Sequence, residues 1–314
     1  MVRSIVSKTH QLILLAPEYS RIPNSFVNVD INYDRHQELL AEMQQVRGRL
    51  YLRDGAIEPW ELSSDNRHQT PADEESWHLL ALSPDGHICG CARYREHGPS
   101  DPFSKLSVAA SPLAGSDIWN PLLVSAVNAE MKLAHSLNIS FVEVGGWALT
   151  DEFRRSTEAI KIALSAYSLA RHLGGCIGVT TATVRHSSAS ILRRIGGEGL
   201  KYGAIEIPSY YDPRYKCQMV ILRFDSSAPN PRYSSWVDEL EGVLPFSPVV
   251  SMPNKAIIHR KRTEPLPLGL NVLTWPSRHV NPEPVRSYPV VAATSLADTN
   301  SRRYDVQQSN RSSD

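Results

Sequence analysis

The residues best suited to chemistry lie where an apolar strand gives way to a long helix, between positions 140 and 173. A helix that begins just after a strand offers unpaired backbone N–H groups and the positive end of its dipole, which together bind anions. The first turn adds two guanidinium groups and two hydroxyls, from Arg154, Arg155, Ser156 and Thr157. Because arginines there oppose the dipole by up to about 1 kcal/mol, their presence favours a bound anion such as a pyrophosphate. The alternative is an amphipathic helix with two solvated arginines.

The strand before this helix offers a base and an apolar wall. The carboxylate of Glu143 can take a proton from an amine if partial burial raises its pKa. Backbone N–H groups of residues 147–149 can stabilise an oxyanion, and Trp147 and Leu149 can line an acyl channel. The alternatives are a solvent-exposed glutamate on an alternating strand and two ordinary core residues.

The start of the long helix carries a recognisable pattern. The segment Arg154-Arg155-Ser156-Thr157-Glu158-Ala159 resembles the acyl-CoA-binding segment of the GNAT acyltransferase superfamily. The superfamily pattern is Gln or Arg, two residues, Gly, one residue, then Gly or Ala. Arg154 and Ala159 match its ends, and Thr157 replaces its central Gly. The resemblance implies that this segment and Leu149 bind the acyl donor.

Three further segments narrow the resemblance. They are Arg47-Gly48-Arg49-Leu50-Tyr51, Gly90-Cys91-Ala92-Arg93-Tyr94 and Glu143. Residues 35–225 are thereby similar to the N-acyl amino acid synthase and acyl-homoserine lactone (autoinducer) synthase branch of the superfamily. This implies transfer of a fatty acyl group from acyl carrier protein or acyl-CoA to a small amine. Arg47, Tyr51 and Arg93 would contact the acceptor, and Glu143 and Trp147 would lie at the reacting atoms.

The sequence departs from this branch and from the superfamily at two places. The arginine that often follows the glutamate in lactone synthases is replaced by Gly145, Gly146 and Trp147. That replacement disfavours lactone synthesis and favours an amino acid or another amine as acceptor. Where many acetyltransferases carry a tyrosine that protonates the leaving thiolate, this chain has Leu192. The second departure weakens the reading as a simple acetyltransferase.

A local excess of positive charge surrounds the helix start. Residues 151–201 carry eight basic and four acidic residues, although the whole chain has 33 of each. Arg193 and Arg194 lie in this stretch. The excess predicts contact with the phosphates of CoA or with an acidic carrier protein. The alternative is a solvated helix face.

Composition limits the other function classes. The chain has 314 residues, of which 41% are hydrophobic and 21% charged, and its formal net charge is zero. This disfavours a nucleic-acid partner. No run approaches the roughly 20 apolar residues of a membrane span, so we expect no stable membrane insertion. The four cysteines lie in apolar stretches, which favours a reducing, cytoplasmic location. No cysteine or histidine spacing indicates a metal site, and we expect no permanently bound cofactor.

Apolar periodicity predicts alternating helices and strands between residues 31 and 245. The pattern includes a helix over 33–51, a hairpin of strands 77–82 and 88–94, a helix from Pro121 to 138, and strands over 177–181 and 218–224. This order favours a mixed α/β (α+β) sheet flanked by helices on both faces, as the GNAT resemblance also implies. Residues 1–30 are expected to form an N-terminal arm.

Residues 246–314 form a region of different composition. From position 248 onward, 67 residues contain 8 of the 22 prolines, along with Ser and Asn clusters. Such a segment buries little apolar area, so a largely disordered tail is expected. Its basic run at 259–262 is either a solvated cluster or a docking patch.

The sequence therefore favours an N-acyltransferase that uses an acyl thioester and acts on an amino acid or similar small acceptor. Two alternatives stay open. One is a short-chain N-acetyltransferase that uses acetyl-CoA. The other is a non-catalytic module of the same fold that binds an acyl thioester or a partner.

Overall fold

The computed structural model describes residue 5, residues 11–154 and residues 156–253. Twelve strands and six helices, together with short 3₁₀ turns, make up these residues. The strands are β1 (Gln11–Leu15), β2 (Val29–Ile31), β3 (Trp77–Leu82), β4 (Ile88–His97), β5 (Ser140–Leu149), β6 (Cys176–Thr183), β7 (Glu198–Gly199), β8 (Lys201–Tyr202), β9 (Ile205–Glu206), β10 (Tyr210–Asp212), β11 (Cys217–Asp225) and β12 (Val249–Ser251). The helices are α1 (Tyr33–Arg53), α2 (Trp119–Ser136), α3 (Asp151–Arg154), α4 (Thr157–His172), α5 (Ser188–Ile195) and α6 (Pro231–Val243).

One mixed sheet forms the centre of the fold. Its strand order is β10-β11-β6-β5-β4-β3-β1-β12-β2, with β7 paired to β11 beside that path. Strand β5 runs parallel to β6, and β12 runs parallel to both β1 and β2. The remaining pairs in this sheet are antiparallel, and β8 and β9 form a separate hairpin. Because the crossover from β5 to the parallel β6 runs through α4, the start of α4 lies near the end of β5.

Alternating residues of β1 show that helices cover both faces of the sheet. Leu12 and Leu14 pack in the apolar cluster on the α4 side, whereas Ile13 and Leu15 pack with α1 on the other side. Phe141 and Val142 of β5 divide in the same way between the α2 and α4 sides. Helix α6 packs on α4. The predicted mixed α/β sheet with helices on both faces is confirmed.

Helix α1 shows how local sequence sets one wall of the site. The side chain of Asn32 accepts a hydrogen bond from the backbone N–H of Arg35, which caps the helix. Leu40, Met43 and Leu50 are buried at helical spacing and face the sheet. The predicted helix over 33–51 is observed and extends to Arg53.

Three predicted elements differ in their limits. Strand β5 continues through the glycine pair at 145–146 to Leu149, because a bulge against β4 absorbs the extra residue. The helix predicted over 154–173 is divided into α3 and α4, because Ser156 caps a new helix start. The strand predicted near 202–207 is the short β8–β9 hairpin.

The C-terminal limit of the body also needs correction. Strand β12 lies between β1 and β2, so the sheet extends past the boundary predicted at residue 245. Helix α6 was not predicted. Strand β1 belongs to the sheet, so the expected N-terminal arm of residues 1–30 contributes a central element. The expected tail beyond residue 253, with its basic run at 259–262, lies outside the described residues. Among the described helices, none combines the length and apolar character needed to cross a membrane.

Candidate functional site

The main cavity lies where β5 and β6 separate. The two strands pair in parallel from Ser140↔Cys176 to Glu143↔Val179 and no further. Beyond that point β5 remains paired with β4, and β6 remains paired with β11. A cavity of about 850 Å³ opens between them, and residues 144–149 of β5 and 180–183 of β6 line it. The sheet therefore has a wedge-shaped gap whose walls are strand edges.

A bulge distorts the β5 wall of the cavity. Arg93 pairs with Gly145 and Cys91 with Ala148, so Gly146 and Trp147 oppose the single residue Ala92. Gly146 has φ of +62°, a left-handed conformation that glycine adopts without strain. An extra residue on a bulged strand leaves backbone groups without ladder partners. The bulge therefore turns backbone polar groups towards the cavity.

Glu143 is held at the inner end of this gap. Its side chain accepts hydrogen bonds from His97 Nε2 at 3.0 Å and from the backbone N–H groups of Ser107 at 2.9 Å and Val108 at 3.1 Å. Burial opposes the charged form, but these hydrogen bonds outweigh burial and lower the pKa of Glu143. The expectation of a raised pKa is therefore wrong, and so is the alternative of an exposed side chain, which is only 6% exposed.

A buried ion cluster supports the wall formed by α1 and β4. Arg47 donates two hydrogen bonds to the carboxylate of Asp73, at 2.9 Å and 2.6 Å, and a third to the carbonyl of His68. Asp73 also accepts from Gln44 and from the backbone and hydroxyl of Thr70. Although burial opposes its charge, the hydrogen bonds from Arg47 lower the pKa of Asp73. Arg47 thus lies behind the cavity wall.

Arg93 is the cation that this cluster presents to the cavity. Its Nη1 donates to Thr70 Oγ1 at 2.9 Å and lies 3.7 Å from the Asp73 carboxylate, which Arg47 already engages. Its Nε is buried without a hydrogen-bond partner among the described residues. Burial and repulsion by Arg47 lower the pKa of Arg93. Two arginines therefore share one aspartate, and the excess positive charge lies at the cavity surface.

Two tyrosines add hydroxyl groups to the same cavity. Tyr51 stacks on His68 with ring centroids 5.6 Å apart and lines the cavity together with Tyr215. Burial raises the pKa of both phenols, so both stay protonated at neutral pH. Tyr51 was predicted as a site residue. Tyr215 was not, because it lies in a turn-rich connection without a motif.

The predicted anion-binding turn is organised differently. Arg154 lines the cavity, but its Nε donates to the carbonyl of Leu149 at 3.1 Å and its Nη2 donates to the carboxylate of Asp54. The hydroxyl of Ser156 caps α4 by accepting from the Glu158 N–H. Thr157 is exposed, and Arg155 lies outside the described residues. Ala159 is buried and lines the cavity with Leu149 and Trp147.

The local excess of basic residues is largely neutralised in the fold. Arg171 contacts Asp238 and Glu241 on α6, at 2.8 Å and 2.7 Å, and Arg193 lies 3.7 Å from Glu206. These acidic residues lie outside the stretch 151–201 over which the charge was counted. Arg193 and Arg194 are exposed on α5 and are not among the cavity-lining residues. The predicted basic face is therefore weaker than its sequence count.

Sequence reasoning missed several residues that shape the site. The backbone of Ser107 and Val108 binds Glu143 and lines the cavity. Asp73 holds Arg47, and Asp54 holds Arg154. Both aspartates lie in or beside the polar segment after α1, which carries no periodic pattern to identify them.

Comparisons with known proteins follow the same direction as the sequence resemblance. No protein-family model and no curated protein matches the sequence. The chain is similar in structure to the CoA-dependent acyl-homoserine lactone synthase BjaI, with 11% identity, 81% of this chain and 99% of BjaI covered, and a TM-score of 0.46.

Two further solved structures are similar to lesser extents. The acyl-homoserine lactone synthase LasI is 19% identical over 60% of this chain and 84% of its own, with a TM-score of 0.39. FeeM, an N-acyl amino acid synthase from uncultured soil microbes, is 10% identical over 63% of this chain and 88% of its own, with a TM-score of 0.39. The solved structures similar to this chain thus include both groups that the sequence resembles, and the activity is argued from the cavity itself.

Proposed function

We propose that the protein is an N-acyltransferase that moves a fatty acyl group from acyl carrier protein or acyl-CoA to the amine of an amino acid or similar small acceptor. The observation that carries this proposal is the gap between β5 and β6, with oppositely charged Arg93 and Glu143 at its inner end. Its volume of about 850 Å³ lies in the upper part of the roughly 300–1,000 Å³ range of small-molecule sites.

The strand edges of the gap suit an extended thioester arm. A pantetheine arm carries two amide groups, and an extended amide chain can bind to a free strand edge as an added strand does. Residues 144–149 provide such an edge, since β4 pairs with only their other side. In this proposal the arm lies in the gap, with its thioester near the bulge and its acyl chain beside Trp147, Leu149 and Ala159.

The charges at the inner end suit an amino acid acceptor. Arg93 pairs with Gly145 and Arg95 with Glu143, so Arg93 and Glu143 are diagonal neighbours on one face of the sheet. Gly145 has no side chain to fill the space beside Arg93. An acceptor carboxylate would compensate the excess charge of Arg93, because a buried cation without a counterion is costly. The acceptor ammonium would lie towards Glu143.

The chain's own groups can support each step of acyl transfer. Glu143 is ionised and has a lowered pKa, so it attracts the ammonium and the amine proton leaves through water. The neutral amine then attacks the thioester carbonyl, and backbone N–H groups at the bulge donate to the oxyanion. The carbon–sulfur bond breaks as the amide forms. The protonated phenols of Tyr51 and Tyr215 can donate a proton to the departing thiolate.

Mass spectrometry tests this proposal directly. The protein is incubated with acyl-CoA and acyl carrier protein donors from acetyl to palmitoyl and with mixed amino acids. N-acyl amino acids from the longer donors are expected. Product from acetyl-CoA alone would favour the short-chain acetyltransferase. Thioester binding without release of free thiol would favour the non-catalytic module, and either result overturns the proposal.

A further inference from the structure

The end of α1 closes the outer part of the cavity with a carboxylate. Asp54 follows the last turn of α1, where its backbone N–H bonds to the Leu50 and Leu52 carbonyls. Its side chain is 18% exposed and accepts a hydrogen bond from Arg154 Nη2. His186 Nε2 lies 3.8 Å from the same carboxylate oxygen. Asp54, Arg154 and His186 all line the cavity.

Asp54 also connects the two sides of the gap. Arg154 follows the β5 side, whereas Arg185 and His186 follow the β6 side. Arg185 donates to the backbone carbonyl of Asp54 and to the carbonyls of Tyr215 and Lys216 at 3.0 Å and 2.9 Å. The guanidinium of Arg185 thus binds main-chain carbonyls, so its own hydrogen bonds bring no counterion. The Asp54 carboxylate is the anion at which these cationic elements converge.

The turn on the β6 side is held in an uncommon backbone conformation. His186 and Ser187 have φ of 57° and 62°, in the left-handed region that non-glycine residues rarely adopt. The hydrogen bonds of Arg185 to three carbonyls fix this turn against α1 and the turn before β11. The cations therefore face a fixed carboxylate.

We propose that Asp54 is the residue that sets donor specificity, because its carboxylate occupies the position where cations at the gap would bind a donor phosphate. This inference rests on the proposed function, since it concerns the thioester donor of that reaction. A donor with the diphosphate of CoA must displace the carboxylate from Arg154 and tolerate a like charge nearby. The same thioester without phosphate meets neither obstacle. Asp54 therefore disfavours CoA relative to pantetheine.

Equilibrium binding of two probes to three proteins tests the inference. Octanoyl-CoA and octanoyl-pantetheine are titrated by calorimetry into the full chain, into Asp54→Asn and into the control Asp85→Asn. Asp85 lies in the exposed turn between β3 and β4, away from the cavity-lining residues. The amide of Asp54→Asn can still accept from Arg154, so this variant removes charge and keeps shape. Asp54→Ser gives a second, smaller replacement should the first fail to fold.

The expected result is a change in the ratio of the two dissociation constants. Asp54→Asn should bind octanoyl-CoA about tenfold more tightly and change octanoyl-pantetheine less than twofold. Arg154→Gln added to Asp54→Asn should remove most of that gain. Asp85→Asn should leave both constants unchanged. An equal shift for both probes would show a merely structural tie, and weaker binding of octanoyl-CoA would likewise overturn the inference.

Failure of the inference and failure of the proposed function have different signatures. The predicted ratio change in a protein that forms no N-acyl product would retain the inference and remove the proposed reaction. Product formation with an unchanged ratio in Asp54→Asn would do the reverse. Absence of binding to either probe by folded wild-type and variant proteins would remove both.

Discussion

Replacing Glu143 with glutamine separates the role of its charge from that of its shape. The carboxylate accepts three hydrogen bonds, two on Oε2 from His97 and Ser107 and one on Oε1 from Val108. A glutamine that places its oxygen at the Oε2 position keeps two of them and sets its amide donors against the Val108 N–H. A lost hydrogen bond to a charged group costs about 1.5–3 kcal/mol. We therefore expect Glu143→Gln to lower the free energy of unfolding by about 2 kcal/mol.

Urea unfolding and thermal melting measure this change. For a body of this size, 1 kcal/mol corresponds to roughly 2–4 °C, so Tm should fall by about 4–8 °C. The matched control is Glu38→Gln on the exposed side of α1, which should change the unfolding free energy by less than about 0.5 kcal/mol. A Glu143→Gln variant as stable as wild type would refute the hydrogen-bonding account.

The pH dependence of stability provides an independent check. The hydrogen bonds lower the pKa of Glu143 in the folded protein below its unfolded value of about 4.3. The stabilisation from Glu143 is therefore fully present above that unfolded value and is lost as the pH falls through the folded value. Below about pH 4 the wild-type protein should lose part of its advantage over Glu143→Gln. A constant difference from pH 7 to pH 3 would show that no lowered pKa is involved.

The other predictions concern the ion cluster and the sheet. Asp73→Asn leaves Arg47 buried without its counterion, so urea unfolding should show a loss of about 3–5 kcal/mol, and a loss below about 1 kcal/mol would contradict the buried pair. Arg93→Gln should raise KM for amino acid acceptors about tenfold or more and leave an amine that lacks a carboxylate nearly unaffected in steady-state assays, whereas equal effects would exclude a carboxylate contact. Gly178→Ala would place a Cβ 2.4 Å from Cζ of Phe224, so thermal melting should show a loss of about 1–3 kcal/mol. Its control, Gly242→Ala on α6, has open space and should stabilise by up to about 1 kcal/mol, and equal losses in the two variants would refute the packing argument.

Local pattern predicted those parts of the fold in which neighbouring residues carry the signal. The stripe that includes Leu40 and Leu50 placed α1, and the Pro-Asp-Gly turn joined β3 to β4 with the observed inner limits. Strand β12 could not be predicted, because its three residues become a strand only through pairing with β1 and β2, which lie more than 200 residues earlier in the chain. Such pairing leaves no periodic trace in a short segment.

The site was predicted unevenly for a related reason. Residue types identified Glu143, Arg93, Tyr51 and Leu149, which line one cavity. Partners supplied by distant segments then changed what these groups can do. The pKa of Glu143 falls because backbone N–H groups from a loop of 3₁₀ turns reach it, and Arg154 is engaged by Asp54, exactly 100 positions earlier. Neither contact has a sequence signature.

The position of β12 has a consequence for synthesis of the protein on the ribosome. Residues 249–251 fill the place between β1 and β2, and Leu14 and Ala16 donate hydrogen bonds to the carbonyls of Pro248 and Val250. Until these residues leave the exit tunnel, one edge of β1 has no partner, although its residues are among the first translated. The nascent chain must hold an apolar strand edge open while more than 200 residues are added, a state in which unpaired edges are prone to aggregation. We therefore expect stalled or truncated chains that end before residue 249 to depend on chaperones, and chains that include residue 251 to be released from that dependence.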